Sequence, residues 1–241
     1  MTGGGLLPRD RAVQPAALTP EYKTSVTRSP RSPLLTLDST VTEESGPVFG
    51  HDIIGPLDND LITNFTQGAN LANGERVLIH GRLSDQNGRA VPGALIEIWQ
   101  ANAGGRYRHA NDSYFAPLDP NFGGCGRTLT DDDGNYRFMT IRPGAYPWPN
   151  GPNAWRPMHV HFSLFGAAFG QRLITQMYFE GDPLIDLCPI VAAIPDQRQI
   201  DRLVAHLDMS QAQSMDHLAY RFDITLRGRN QTVFENRPEG M

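Results

Sequence analysis

Apolar and polar positions alternate with a period of two in a series of separate stretches, and each predicts a strand. They are Arg76-Val-Leu-Ile-His-Gly-Arg-Leu83, Ala94-Leu-Ile-Glu-Ile-Trp-Gln100, Asn135-Tyr-Arg-Phe-Met-Thr-Ile141, Met158-His-Val-His-Phe-Ser-Leu-Phe165 and Leu173-Ile-Thr-Gln-Met-Tyr-Phe179. The cleanest is 218–227, with Leu218, Tyr220, Phe222, Ile224 and Leu226 on one face. The turn residues Asp85-Gln-Asn-Gly88 between the first two stretches predict a β-hairpin. Ile200, Leu203, Val204 and Leu207 recur at helical spacing and predict one amphipathic helix over 197–209.

Between the strands lie two irregular stretches, a Gly/Pro-rich loop over 101–127 and the stiff segment Arg142-Pro-Gly-Ala-Tyr-Pro-Trp-Pro149. Loops that long are functional or disordered. Residues 1–50 carry Pro8, Pro15, Pro20, Pro30, Pro33 and Pro47 without a sustained period, which predicts an arm packing on a partner or on the core. The fold expected is therefore all-β: an antiparallel β-sandwich core over 51–241, with chemistry on long loops, an extended N-terminal arm and one or two short helices.

Composition narrows the function. With 24 glycines and 19 prolines in 241 residues, above the usual ~7% and ~5%, the chain is turn-rich and unlike a helical bundle. A formal charge of −5 with no basic run argues against nucleic acid or an anionic membrane as partner. Cys125 and Cys188 form no C-x-x-C motif, so neither a disulfide scaffold nor a thiolate zinc site is predicted. No stretch approaches 18 apolar residues and the N-terminus has no apolar signal core, so the expectation is a soluble, unexported, cytoplasmic protein.

His159 and His161 sit two apart on a predicted strand, share a face, and could meet one metal ion. H-x-H also occurs in zinc hydrolases, and two core histidines would look the same. No cysteine or carboxylate stands close by to complete a zinc or two-His, one-carboxylate site. The two irregular loops instead each carry a tyrosine, Tyr107 and Tyr146, although either alone could simply pack its loop. A phenol with a pKa near ~10 ionises at neutral pH only against a strongly Lewis-acidic ion, and ferric iron is such an ion.

Five ordered runs carry a resemblance: Trp99-Gln-Ala-Asn-Ala-Gly-Gly-Arg-Tyr-Arg-His109, Leu118-Asp-Pro-Asn-Phe-Gly-Gly-Cys-Gly-Arg127, Tyr146-Pro-Trp148, Trp155-Arg-Pro-Met-His-Val-His161 and Tyr178-Phe-Glu-Gly-Asp-Pro183. Together, from about Tyr22 to Glu235, the chain resembles the intradiol aromatic-ring dioxygenases. The resemblance implies a β-sandwich holding non-haem Fe(III), with Tyr107 and His159 as equatorial ligands, Tyr146 and His161 as axial ligands, and solvent as the fifth. It places Arg156 beside the bound ring and gives Tyr146 and Gln176 parts in the reaction. Trp148, Ile190 and Tyr22 match substrate-binding positions, the last giving the arm an ordered role.

The implied reaction is cleavage of a small aromatic diol by O2, protocatechuate giving 3-carboxy-cis,cis-muconate within the β-ketoadipate route of aromatic degradation. The implied partner is a homologous α chain, the αβ pairs assembling further. Catechol or hydroxyquinol 1,2-cleavage is the alternative within the family, but those relatives carry a helical N-terminal segment that this proline-rich arm lacks. A metal-free binding or structural subunit is the alternative from another class. Met158, Ala145 and Pro149 depart from the family's commoner residues, next to ligand positions rather than at them.

Overall fold

The structure is a computed structural model that describes residues 13–32, 54–66, 68–165 and 172–233. The parts of the arm at 1–12 and 33–50 lie outside the described residues. In chain order the elements are α1 (Lys23–Arg28), β1 (Arg76–Asp85), β2 (Leu95–Gln100), β3 (Cys125–Leu129), β4 (Asn135–Ile141), β5 (Tyr146–Pro147), β6 (Trp155–Arg156), β7 (His159–Phe165) and β8 (Arg172–Phe179). There follow α2 (Pro189–Ala192), α3 (Gln197–Asp201), β9 (Val204–Leu207), β10 (Leu218–Arg221) and β11 (Ile224–Leu226).

The β-sandwich expected from the alternating pattern forms as one continuous curled sheet. β1 carries β4 along one edge and β10 and β11 along the other, and the order then runs β10, β9, β8, β7, β2, β3. β3 and β4 lie in contact without pairing, and strands from both ends of the path face one shared apolar core. Val77 and Ile79, Ile96 and Ile98, Phe138, Val160, Phe162 and Leu164, Met177 and Phe179, and Tyr220 and Phe222 fill the interior. Each large side chain buried here stabilises the fold by about 1.5–3 kcal/mol. Phe162 lies 5.1 Å from Phe222 and 6.4 Å from Phe138, edge on to the latter, as aromatic quadrupoles prefer.

Three sequence expectations need correction. β1 and β2 are not a hairpin: the turn at Asp85–Gly88 closes, with Val91 N–H donating to the Leu83 carbonyl, but Pro92 and Gly93 (φ 65°) end the ladder. β2 then joins β3 and β7. The helix over 197–209 is only α3, because Val204–Leu207 extends into β9, parallel to β8 and antiparallel to β10. The strand over 218–227 is divided between β10 and β11, and both run parallel to β1, so the sheet is mixed rather than purely antiparallel. Between them the Phe222 carbonyl comes so close to Gly81 that a Cβ there would sit 1.9 Å from it, while the Asp223 carboxylate accepts from Arg82 N–H.

Period-two alternation on β7 and β8 separates two faces. Val160, Phe162, Met177 and Phe179 enter the main core, whereas His159, His161, Gln176 and Tyr178 project outward together. That outer face is covered by a second apolar cluster of Tyr22, Tyr178, Ile185, Cys188, Ile190, Val191, Ile194, Leu203 and Val233, with Trp148 against it. The arm is tied there too: Asn150 accepts from Lys23 N–H at 2.9 Å and donates to the Glu21 carbonyl at 2.8 Å. No helix among the described residues is long and apolar enough to cross a membrane.

Candidate metal centre

The two tyrosine loops are held separately and then docked. In the first, Asn102 Oδ1 accepts from Gly104 and Arg106 N–H and its amide donates to the Pro117 carbonyl. The Asp112 carboxylate accepts from Tyr107 N–H at 2.8 Å. In the second, Tyr146 lies on β5, opposite Arg156 of β6 in a two-strand ribbon. Glycines join the loops: a Cβ on Gly105 (φ 81°) would meet the Ala145 carbonyl oxygen at 2.3 Å, and one on Gly144 would meet that of Ala103 at 2.5 Å. Nothing larger than hydrogen fits at either position.

This docking puts the Tyr107 and Tyr146 rings edge to face, 5.3 Å apart, against the two histidines. The Tyr107 hydroxyl lies 3.4 Å and the Tyr146 hydroxyl 3.3 Å from Nε2 of His159. The His159 and His161 rings are 4.9 Å apart, and His161 is 6.3 Å from the Tyr107 ring. His159 Nδ1 lies 2.6 Å from the Pro157 carbonyl, which can only accept, so Nδ1 bears the proton and Nε2 presents its lone pair to both phenols. Burial, then the Arg156 charge and His161, hold the His159 imidazole well below its ordinary pKa and so keep it neutral.

Two imidazoles and two phenols thus converge, with one nitrogen lone pair aimed between two phenol oxygens. The fit to ferric iron is chemical: imidazole nitrogen suits iron, and phenol oxygen, once ionised, is a hard anionic donor. Among the described residues no three His, Cys, Asp or Glu side chains gather for any other metal site. The centre opens on a cleft of about 900 Å³ whose walls include Trp99, Tyr107, Tyr114, Tyr146, Trp148 and His161.

Arg156 lies behind this cleft and is only 5% exposed. Its guanidinium donates to Gln176 Oε1, which also accepts from the Tyr178 hydroxyl at 2.8 Å. Burial works against the charge, but the surrounding Tyr178, Tyr146, Cys188 and Tyr107 outweigh it, and the guanidinium pKa lies above its ordinary value. Its Nε–H is buried and without a hydrogen-bond partner among the described residues, as is the indole N–H of Trp148. Donors left in this way mark where a polar ligand is expected. Arg156 lies 5.5 Å from the Trp148 ring, which packs 5.3 Å from Tyr22.

The structure therefore gathers Tyr107, Tyr146, His159, His161, Arg156, Gln176, Trp148 and Tyr22 at one place; Ile190 is buried with Tyr22 and Trp148 in the neighbouring cluster. Two side chains there drew no separate assignment from sequence. Tyr178 pairs across the strands with His159, and Trp99 pairs with His161, its indole stacked on the imidazole at 4.7 Å with the planes 1° apart. The available signal was strand parity, which puts Tyr178 on the same face as Gln176 two positions before it.

Comparison with known proteins gives this centre its class. A dioxygenase family model matches residues 44–228, and a model for the N-terminal segment of protocatechuate 3,4-dioxygenase beta subunits matches residues 7–40. The chain belongs to the intradiol dioxygenase family. Within it, the chain is 49% identical to the protocatechuate 3,4-dioxygenase beta chain of Burkholderia cepacia, over 95% of this chain and 97% of that one. It is 32% identical to the alpha chain of the Pseudomonas putida enzyme, over 68% of this chain and 77% of the other. Among solved structures, 3-chlorocatechol 1,2-dioxygenase of Rhodococcus opacus 1CP superposes with a TM-score of 0.53 at 27% identity, covering 76% of this chain and 70% of that one.

Proposed function

We propose that this chain, paired with an α chain, cleaves protocatechuate with O2 between its two hydroxyl-bearing carbons, giving 3-carboxy-cis,cis-muconate, at a non-haem ferric centre held by Tyr107, Tyr146, His159 and His161. The observation that carries the reading is the convergence of both phenol oxygens on the one lone pair of His159 Nε2. Ferric iron held by these four side chains would supply Lewis acidity, drawing electron density from the diol so that the ring itself becomes reactive toward O2. Both oxygen atoms enter the product. The 49% identity to a protocatechuate 3,4-dioxygenase beta chain supports the substrate, and similarity to beta and alpha chains alike supports the partner.

The remaining work falls to this chain's side chains. Tyr146, on the short β5 ribbon, takes a proton from the incoming diol at Oη. Arg156, buried and held on Gln176, sets a fixed positive charge beside the ring to stabilise electron density that builds there. Trp148, Tyr22 and Ile190 form an apolar wall that orients the ring and excludes water. We read 51–241 as the catalytic domain and 1–50 as an arm that packs on a partner or on that domain.

The test is the visible spectrum of the protein co-expressed with its α partner, recorded with its iron content, before and after anaerobic addition of protocatechuate or catechol. A broad visible band that shifts on addition, more with protocatechuate, is the expected result. Iron-replete protein with no visible band overturns the two-tyrosinate centre, and a larger response to catechol overturns the substrate.

A further inference from the structure

Trp99 stands against a candidate ligand, and no part in the reaction has been given to it. It sits on β2, between β3 and β7, directly opposite His161. Its neighbour Gln100 locks the strand, donating to the Ile141 carbonyl at 2.8 Å and accepting from Thr140 at 2.9 Å. The indole face then lies flat against the imidazole, at 4.7 Å and 1°. Trp99 itself is half-buried and lines the cleft rather than the main core.

We propose that Trp99 is a positioning residue for His161, its indole face setting the plane in which the imidazole meets the metal. This rests on the reading of His161 as an iron ligand. The physical reason is torsional: the terminal torsion of histidine is broad and roughly two-fold, so strand geometry alone leaves the ring free to turn about χ2. A rigid aromatic surface stacked on one side removes that freedom, because any tilt drives an imidazole edge into the indole. His159 donates a hydrogen bond from Nδ1 to the Pro157 carbonyl, and His161 has the indole face of Trp99 stacked along its ring. Such outer partners commonly govern 10–100-fold in metal affinity.

The experiment compares Trp99→Phe, which keeps a flat ring, with Trp99→Met, which fills the space without one, each as the co-expressed αβ protein. Iron per αβ pair is measured, followed by iron release into excess ferric chelator, with the visible band and thermal midpoint recorded. Trp99→Met is expected to release iron at least ~10-fold faster than wild type at a similar midpoint, with a shifted band. Trp99→Phe is expected to stay within about threefold of wild type. Equal release rates in the two variants, whether both slow or both fast, overturn the positioning role while leaving the iron centre standing. Wild-type protein that takes up no iron overturns the centre and this inference with it.

Discussion

Gly105 and Gly144 touch so closely that a Cβ added to Gly144 would lie 2.6 Å from the Gly105 backbone nitrogen. This contact between two loops, rather than any strand pairing, sets the separation of Tyr107 and Tyr146. Gly144→Ala is therefore expected to push the loops apart and to cost roughly 1–3 kcal/mol of local strain. Iron per chain and thermal midpoint are the measurements; wild-type iron content in Gly144→Ala would sink the docking argument.

Tyr107 and Tyr146 are expected to be separable by spectrum. Replacing Tyr107 with Phe removes one of the two phenol oxygens that face His159 Nε2, so the visible band should change and turnover fall. An unchanged colour and rate in Tyr107→Phe would remove it from the ligand set. Stripping the iron with a chelator should abolish turnover, and adding iron back should restore it.

The buried Arg156 depends on its acceptor. Tyr178→Phe deletes one donor to Gln176 and should cost about 0.5–1.5 kcal/mol. Gln176→Leu removes the oxygen that Arg156 itself uses, and stranding a buried guanidinium should cost more, about 1.5–3 kcal/mol. Urea unfolding of the two variants checks the order; a milder Gln176→Leu would contradict it. Arg156→Ala should lose most of its turnover if the charge acts beside the ring.

Remote from the site, His80 lies 3.1 Å from Asp208, yet burial outweighs that partner and holds the imidazole below its ordinary 6.5. On acidification the unfolded chain binds a proton near pH 6.5 that the folded chain refuses. Stability contributed by His80 is therefore present above pH 6.5 and lost as pH falls below it. The thermal midpoint should fall less steeply between pH 7 and pH 5.5 in His80→Gln than in wild type, and parallel profiles would contradict this.

Much of the fold was legible because burial on a strand has a period of two. That period marks β1, β4, β7 and β8 in the sequence and puts His159 and His161 on one face. It failed where short-range and long-range preferences competed. The helical spacing through Leu207 stopped at α3 because Val204–Leu207 completes a ladder between β8 and β10, and backbone pairing there outweighs helical continuation. The hairpin failed because a turn closes two residues at a time, whereas β2 is claimed by β3 and β7.

By itself, then, the sequence determined the strands β1, β2, β4, β7 and β8, which loops are rich in Gly and Pro, and which histidines share a face; its ordered motifs carried the likeness to a family with a tyrosine and histidine iron site. Only the tertiary structure decided that Tyr107 and Tyr146 meet at His159 Nε2, that Gln176 holds Arg156, that Tyr22 closes on Trp148, and that Trp99 lies flat on His161. The physical reason is range. Periodicity reports the environment of neighbouring positions, while these contacts join segments brought together by sheet closure and by two glycines with no room for a side chain.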